Sequence, residues 1–171
     1  MKLLSIAVPC YNSQDYMRHC VETLLPGGDE VEILVVDDGS KDGTATIADE
    51  LEAQHPGVVR AIHQENGGHG AAVMAGLKNA TGLYFKVVDS DDWLDEEAYP
   101  KVLDALRGFA AAEGEPVDLL VCNYIYDKVG AKHKKVMEYR GVLPEGRPFH
   151  WNEAGHFRKG QYILMHSVIY R

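Results

Sequence analysis

Four short apolar runs punctuate the first half of the chain: SIAVP (5–9), VEILVV (31–36), VVRAIHQ (58–64) and LYFKVVD (83–89). Their apolar residues do not alternate with polar ones, so each run reads as a strand covered on both faces. The segments between them carry helical spacing. Met17, Cys20, Val21, Leu24 and Leu25 share one face before a Pro-Gly-Gly stop, and Ile47, Ala48 and Leu51 share another before Pro56 and Gly57. A small-residue helix spans 68–82, and an amphipathic one runs from Asp95 to about Ala112 through Val102, Leu103, Leu106 and Phe109. Pro100 fits only in that helix's first turn. DLLVCNYIY (118–126) supplies a fifth strand. Strand-helix repeats of this kind predict an α/β fold, a Rossmann-like, doubly wound, mainly parallel sheet with helices on both faces.

After Tyr126 the rhythm breaks. KVGAKHKKVMEYRG (128–141) reads as a polar hairpin, followed by a loop-rich stretch with Trp151 and a last apolar run, YILMHSVIYR (162–171). The chain therefore divides into a core of residues 1–126 and a region of residues 127–171 within one domain. Its end inside an apolar run is expected of a chain cut from something longer. The basic residues Lys128, Lys132, His133, Lys134 and Lys135 are expected on a solvated hairpin, with peripheral membrane contact as a secondary expectation. His166, on the last apolar run, reads as a satisfied core histidine, with a metal or phosphate contact as the alternative.

A formal net charge of −9 argues against nucleic acid as a partner, because phosphate contacts need a basic surface. An anionic small ligand would need a cation between it and the protein. The cysteines Cys10, Cys20 and Cys122 sit among apolar neighbours without metal-ligand spacing and read as buried thiols in a reducing cytoplasm.

The polar residues collect where the strands end: Pro9, Cys10, Tyr11 and Asn12; Asp37, Asp38, Gly39 and Ser40; Glu65, Asn66, Gly67 and Gly68; Asp89, Ser90, Asp91 and Asp92. A parallel sheet delivers all four clusters to one edge, where such sheets bind ligands. Residues i and i+2 of an extended chain point the same way, about 7 Å apart. At that distance Asp89 and Asp91 repel by roughly 2 kcal/mol at an effective dielectric near 20. A divalent ion relieves that repulsion, and hard oxygen ligands suit Mg²⁺ or Mn²⁺. Asp89, Asp91 and Asp92 are thus the expected metal ligands. A carboxylate at the end of the second strand, Asp37 or Asp38, commonly accepts from a ribose or base edge. The plainer alternative is a turn in which Asp38 and Ser40 cap the following helix. Tyr11 can stack on a base, or simply seal the core. Asn66 and Gly67 supply a tight turn beside the ligand, while Ala71, Ala72, Ala75 and Gly76 let their helix approach the sheet.

SIAVPCYN, VEILVVDDGSKDGT and ENGG followed by AGLKNATGLYFKVVDSDDWLD resemble the inverting glycosyltransferases of family 2, with a GT-A fold, over residues 3 to 126. The resemblance implies transfer of a sugar from a nucleotide-diphosphate sugar, UDP ahead of GDP or dTDP, to the hydroxyl of a saccharide or lipid-linked acceptor. The setting it implies is cell-surface or cell-wall polysaccharide synthesis from the cytoplasmic side. It makes Pro9 and Tyr11 the base-holding loop, with Asn12, Asn66, Gly67 and Ser90 alongside, and Asp38 the acid that reads base or ribose. Asp89 and Asp91 become the Asp-x-Asp pair, with Asp91 the direct metal ligand. The chain departs from the pattern at Val73 and Met74, where the family often has Arg-Asn; His69 is the available substitute. No acid among Asp127, Glu138, Glu145 and Glu153 sits in the setting of a general base, which is expected beyond Arg171. Two alternatives stand beside transfer: a catalytically incomplete nucleotide-sugar binding domain, and an aspartate-dependent phosphotransferase.

Overall fold

The computed structural model describes residues 1–127 and 134–171. Among them, six strands form a mixed sheet, in spatial order β3 (Val59–His63), β2 (Val31–Asp37), β1 (Leu4–Cys10), β4 (Tyr84–Val87), β8 (Val168–Tyr170) and β5 (Leu119–Val121). The strands β1 (Leu4–Cys10), β2 (Val31–Asp37), β3 (Val59–His63) and β4 (Tyr84–Val87) follow the four apolar runs and pair in parallel. β1 and β2 are buried along their whole length, as consecutive apolar residues require. The helices α1 (Met17–Leu24), α2 (Thr44–Gln54), α3 (His69–Asn79) and α4 (Ala98–Ala111) fall between the strands. Pro100 is the third residue of α4, inside its first turn, where its missing N–H costs nothing.

Leu4, Ile6, Val8 and Cys10 of β1 join Met17, Leu24, Leu51, Leu103 and Leu106 in one core. α3 covers the opposite face. Gly76 allows that contact, because a Cβ there would lie 2.5 Å from the Cβ of Ala7. Helices thus cover both faces, with a switch of strand order between β1 and β4.

The second half departs from expectation. The run 118–126 divides into β5 (Leu119–Val121) and β6 (Tyr124–Tyr126), which belong to different sheets. β5 pairs antiparallel with β8 (Val168–Tyr170), the end of the last apolar run, which inserts beside β4. β6 pairs antiparallel with β7 (Lys135–Met137), so the pairing expected within 128–141 instead takes one of its strands from Tyr124–Tyr126. Pairing with a segment some 50 residues away draws β5 into the main sheet, and local hydrophobicity carries no record of that partner. Lys134 and Lys135 are exposed; Lys134 pairs with Asp127 at 2.7 Å, and Lys135 lies over the Tyr126 ring. Lys128, Lys132 and His133 lie outside the described residues. No helix among the described residues is long and apolar enough to cross a membrane.

A buried carboxylate fixes the register at the other end of the sheet. Glu32 of β2 accepts hydrogen bonds from Ser5 Oγ of β1 at 2.5 Å and from Thr81 Oγ1 at 2.9 Å, and Ser5 Oγ in turn accepts from the Gly82 amide at 2.8 Å. Burial alone would raise its pKa, but the bonds from Ser5 and Thr81 prevail and hold it below the ordinary 4.5. A depressed folded-state pKa gives stability that is full above the unfolded value and is lost as pH falls through the folded one. Glu32→Gln should therefore lower unfolding free energy by about 1–3 kcal/mol at neutral pH. In denaturant titrations at a series of pH values, the gap from wild type should close as pH drops below the unfolded-state value.

Candidate functional site

The site lies at the carboxyl ends of β1 to β4, where three side-chain ties join the loops. Asn12, in a left-handed conformation (φ 50°), donates its amide to Ser40 Oγ at 3.0 Å and accepts from the Lys41 amide at 2.9 Å. The buried hydroxyls of Ser13 and Ser90 meet at 2.9 Å, linking the loop after β1 to the one after β4. Asp38, 2% exposed, binds the loop after β3: it accepts from Gln64 Nε2 at 2.6 Å and from the amides of Gly67 and Gly68 at 2.9 and 2.7 Å. Burial would raise the Asp38 pKa, but these donors hold it below the ordinary carboxylate value. Asn66 Nδ2 adds a bond to the Asp38 carbonyl at 2.9 Å. Gly39, at φ 69°, lets the two loops touch, since a Cβ there would lie 2.8 Å from the Asn66 nitrogen.

These loops enclose a cavity of about 330 Å³ lined by Pro9, Tyr11, Asp38, Asn66, Gly68 and His69, with Cys10 and Ala72 at its floor. Tyr11 is 48% exposed, its ring available to a ligand. Burial pushes the Cys10 thiol up to about 12, which leaves it an inert wall. Cys20 is likewise buried, and Cys122 is partly exposed.

Beside the cavity stand the acids that follow β4. His69, the first residue of α3, brings Nε2 to 2.8 Å from Asp89 Oδ1. From the far end of the chain, His166 brings Nδ1 to 3.2 Å from Asp92 Oδ2 and 4.0 Å from Asp89 Oδ2. Ligand atoms of Asp89, Asp92 and His166 all fall within 4.8 Å of one another. Among the described residues, His166 Nδ1 is the one buried side-chain nitrogen or oxygen without an aligned hydrogen bond. Burial raises the Asp92 pKa, opposed by His166 and reinforced by the charges of Asp91 and Asp89. Lys86, 5% exposed within β4, donates to the His166 carbonyl at 2.8 Å and so holds that segment against the sheet.

Several expected residues sit elsewhere. Asp37 is buried, with Oδ1 accepting from the Ser40 amide and Oδ2 facing His63; the turn after β2 is thus closed by Asp37, not Asp38. Asp42 Oδ1, not Ser40, accepts from the amide of Thr44 at the start of α2. Asp91 is exposed and stands outside the group formed by Asp89, Asp92 and His166. His166 is not a sealed core histidine, since 31% of its side chain is exposed and it faces the acids. The sequence marks Lys86 only as a charged residue inside a buried strand, and it leaves His166 between a core role and a ligand contact, because its place depends on long-range pairing of β8.

The pattern of the family described as Glycosyl transferase family 2 matches residues 5–168. EpsH of Bacillus subtilis, named a glycosyltransferase, is 36% identical over 122 residues, 71% of this chain and 33% of that protein. The chondroitin synthase of Escherichia coli is 40% identical over 106 residues, 61% of this chain and 15% of that one. Among solved structures, S. aureus TarS in complex with UDP-GlcNAc superposes with a TM-score of 0.59 at 29% identity, covering 71% of this chain and 34% of TarS. The chain thus spans about a third, or less, of the length of these relatives.

If Asp38 is the brace of the cavity wall, Asp38→Ala should free the amides of Gly67 and Gly68. Hydrogen exchange at those two amides should accelerate by at least about tenfold, with global stability falling by roughly 1–3 kcal/mol.

Proposed function

Because the chain belongs to glycosyl transferase family 2, we propose that it forms the donor side of an inverting glycosyltransferase. The donor is a nucleotide-diphosphate sugar and the acceptor a hydroxyl in a cell-surface or cell-wall polysaccharide assembled from the cytoplasm. The observation that carries this reading is the unaligned His166 Nδ1 beside two carboxylates, Asp89 and Asp92, the first of them bonded to His69 of the cavity lining. Two carboxylate oxygens suit Mg²⁺ or Mn²⁺, and an added imidazole nitrogen favours Mn²⁺, the softer of the two. Bound there, the ion would offset charge on the departing nucleoside diphosphate.

The chain's own groups do the positioning. Tyr11 offers its exposed ring to the base, and Pro9, Asn66 and Gly68 of the turn held by Asp38 line the wall of the same cavity. His69 stands between that wall and Asp89, where a donor's phosphates would pass. Asp91 adds charge from the exposed side of the same loop. UDP is the favoured nucleotide, supported by the TarS complexes with UDP and UDP-GlcNAc. No acid of residues 127–171 is assigned as the general base. Asp127, Glu145 and Glu153 are each paired with a cation, Lys134, Arg140 and Arg147, and none joins the acid group.

A second reading, donor binding without transfer, draws on Val73 and Met74 of α3. Met74 is 47% exposed and offers no polar group to a phosphate or sugar.

Calorimetry of UDP with and without Mn²⁺ tests the proposal. Nucleotide binding should depend on the metal, and Asp89→Ala or Asp92→Ala should remove that dependence. His166→Ala should weaken metal affinity on the order of 10-fold or more, with Asp91→Ala costing less than Asp92→Ala. UDP binding indifferent to Mn²⁺ in the wild-type protein would sink the metal assignment, and sugar transfer by the full-length protein decides between the two readings.

A further inference from the structure

His63 closes β3 at the edge of the sheet, and each of its ring nitrogens meets a different carboxylate. Nδ1 lies 3.2 Å from Asp37 Oδ2, at the end of β2, and Nε2 lies 2.9 Å from Asp49 Oδ1, in α2. β3 packs against β2 and α2, and among the described residues these two acids are the charged groups that face the ring from those elements. A neutral imidazole carries one N–H and can donate to only one of them. The imidazolium donates to both. Asp49 and Asp37, in that order, hold the His63 pKa above its ordinary 6.5.

The two acids differ in what they lose with the proton. The Asp37 side chain is 6% exposed and its Oδ2 has His63 as partner, whereas the Asp49 side chain is 67% exposed and can turn to water. An unmet buried acceptor costs more than an exposed one, so the remaining proton stays on Nδ1 and the tie to Asp49 opens. Asp37 and Asp49 bracket the connection between β2 and α2, residues 38–43, which shapes the cavity. That connection carries Asp38 of the cavity lining, and its Ser40 and Lys41 hold Asn12. The Gly43 amide donates to Gln14 Oε1 at 2.7 Å, and Thr44 Oγ1, at the start of α2, accepts from the Ser13 amide at 2.7 Å. A charged His63 therefore pins both ends of the connection, and a neutral one pins a single end.

We propose that His63 is a positioning residue for the nucleotide cavity: charged, it fixes the β2–α2 connection at both ends; neutral, it releases α2, and the cavity loses affinity for a nucleotide. It rests on the donor-side reading above and makes a proton the regulator of that site. A folded-state pKa raised above the unfolded value gives stability that is full below 6.5 and is lost as pH rises through the folded value. Nucleotide affinity follows the same direction, tighter on the acid side of that titration.

Calorimetry of UDP with Mn²⁺ between about pH 5.5 and 8.5 tests this on the wild-type chain, on His63→Gln and on Asp49→Asn. Gln keeps a donor without a titrating charge, and Asp49 is exposed, so neither change empties the core. Below the His63 titration the wild type should bind UDP about fivefold tighter than either variant, at the low end of couplings between sites, and above it the three should agree. Comparing the proteins at each pH cancels the titration of UDP and of the metal ligands. Magnetic resonance of the ring should place His63 above 6.5 in the wild type and lower in Asp49→Asn. Without nucleotide, protection of the Ser13 amide, taken relative to His63→Gln at the same pH, should fall as pH rises through that titration. An affinity ratio constant across the range, or His63 titrating at or below 6.5, overturns the proposal. UDP binding to none of the three proteins at any pH sinks the donor reading instead, and a Ser13 amide ratio that stays flat overturns the pin as well.

Discussion

The central place of β1 governs everything functional in this chain. It is hydrogen-bonded in parallel to β2 on one side and to β4 on the other, so the connections that follow β1 and β4 part at their ends and leave a crevice between them. The register puts Cys10 beside Asp37 and Ala7 beside Val87, which brings the loops carrying Tyr11, Asp38 and Asp89 to one edge. Any slip by one residue would turn the fully buried faces of β1 outward and separate those loops. Glu32 opposes such a slip at the far end, tying β1, β2 and the turn before β4 through one carboxylate.

The crevice is held in shape before any ligand arrives. Asn12 reaches Ser40 and Lys41, Ser13 reaches Ser90, and Asp38 gathers three donors from the loop after β3. Such bonds reduce the ordering that a ligand must otherwise impose. Asp38 borders the cavity while its oxygens hold the loop that forms the wall. The acids after β4 are the opposite case. Three carboxylates share a short loop, two unit charges 4 Å apart repel by about 4 kcal/mol at a dielectric near 20, and Asp92 is pushed toward its protonated form. The neighbouring groups His69, His166 and Lys86 come from three other elements.

Those partners also explain the mixed edge of the sheet. β8 enters antiparallel between β4 and β5, which places the turn Met165–Ser167 beside the acids. Lys86 secures it by bonding the His166 carbonyl from inside the sheet. The same insertion separates β5 from β6 and brings His166 beside Tyr124 of β6.

Unbroken apolar runs, helical spacing and turn residues made the parallel half legible from the amino-acid order alone, down to the four strands, the helices between them and the edge where polar loops collect. These signals are local, and burial on both faces leaves a strand no other pattern. The family, too, was carried by contiguous motifs between residues 3 and 126. Tertiary structure alone decided that Asp92 and His166 rather than Asp91 face Asp89, that Asp37 and Asp38 turn inward, and that the run 118–126 serves two sheets. Each of these outcomes depends on a partner some 20 to 80 residues away, such as Gly67 and Gly68 for Asp38 or Lys86 for His166. Hydrophobic pattern encodes which face of a segment is buried, but not which distant segment buries it.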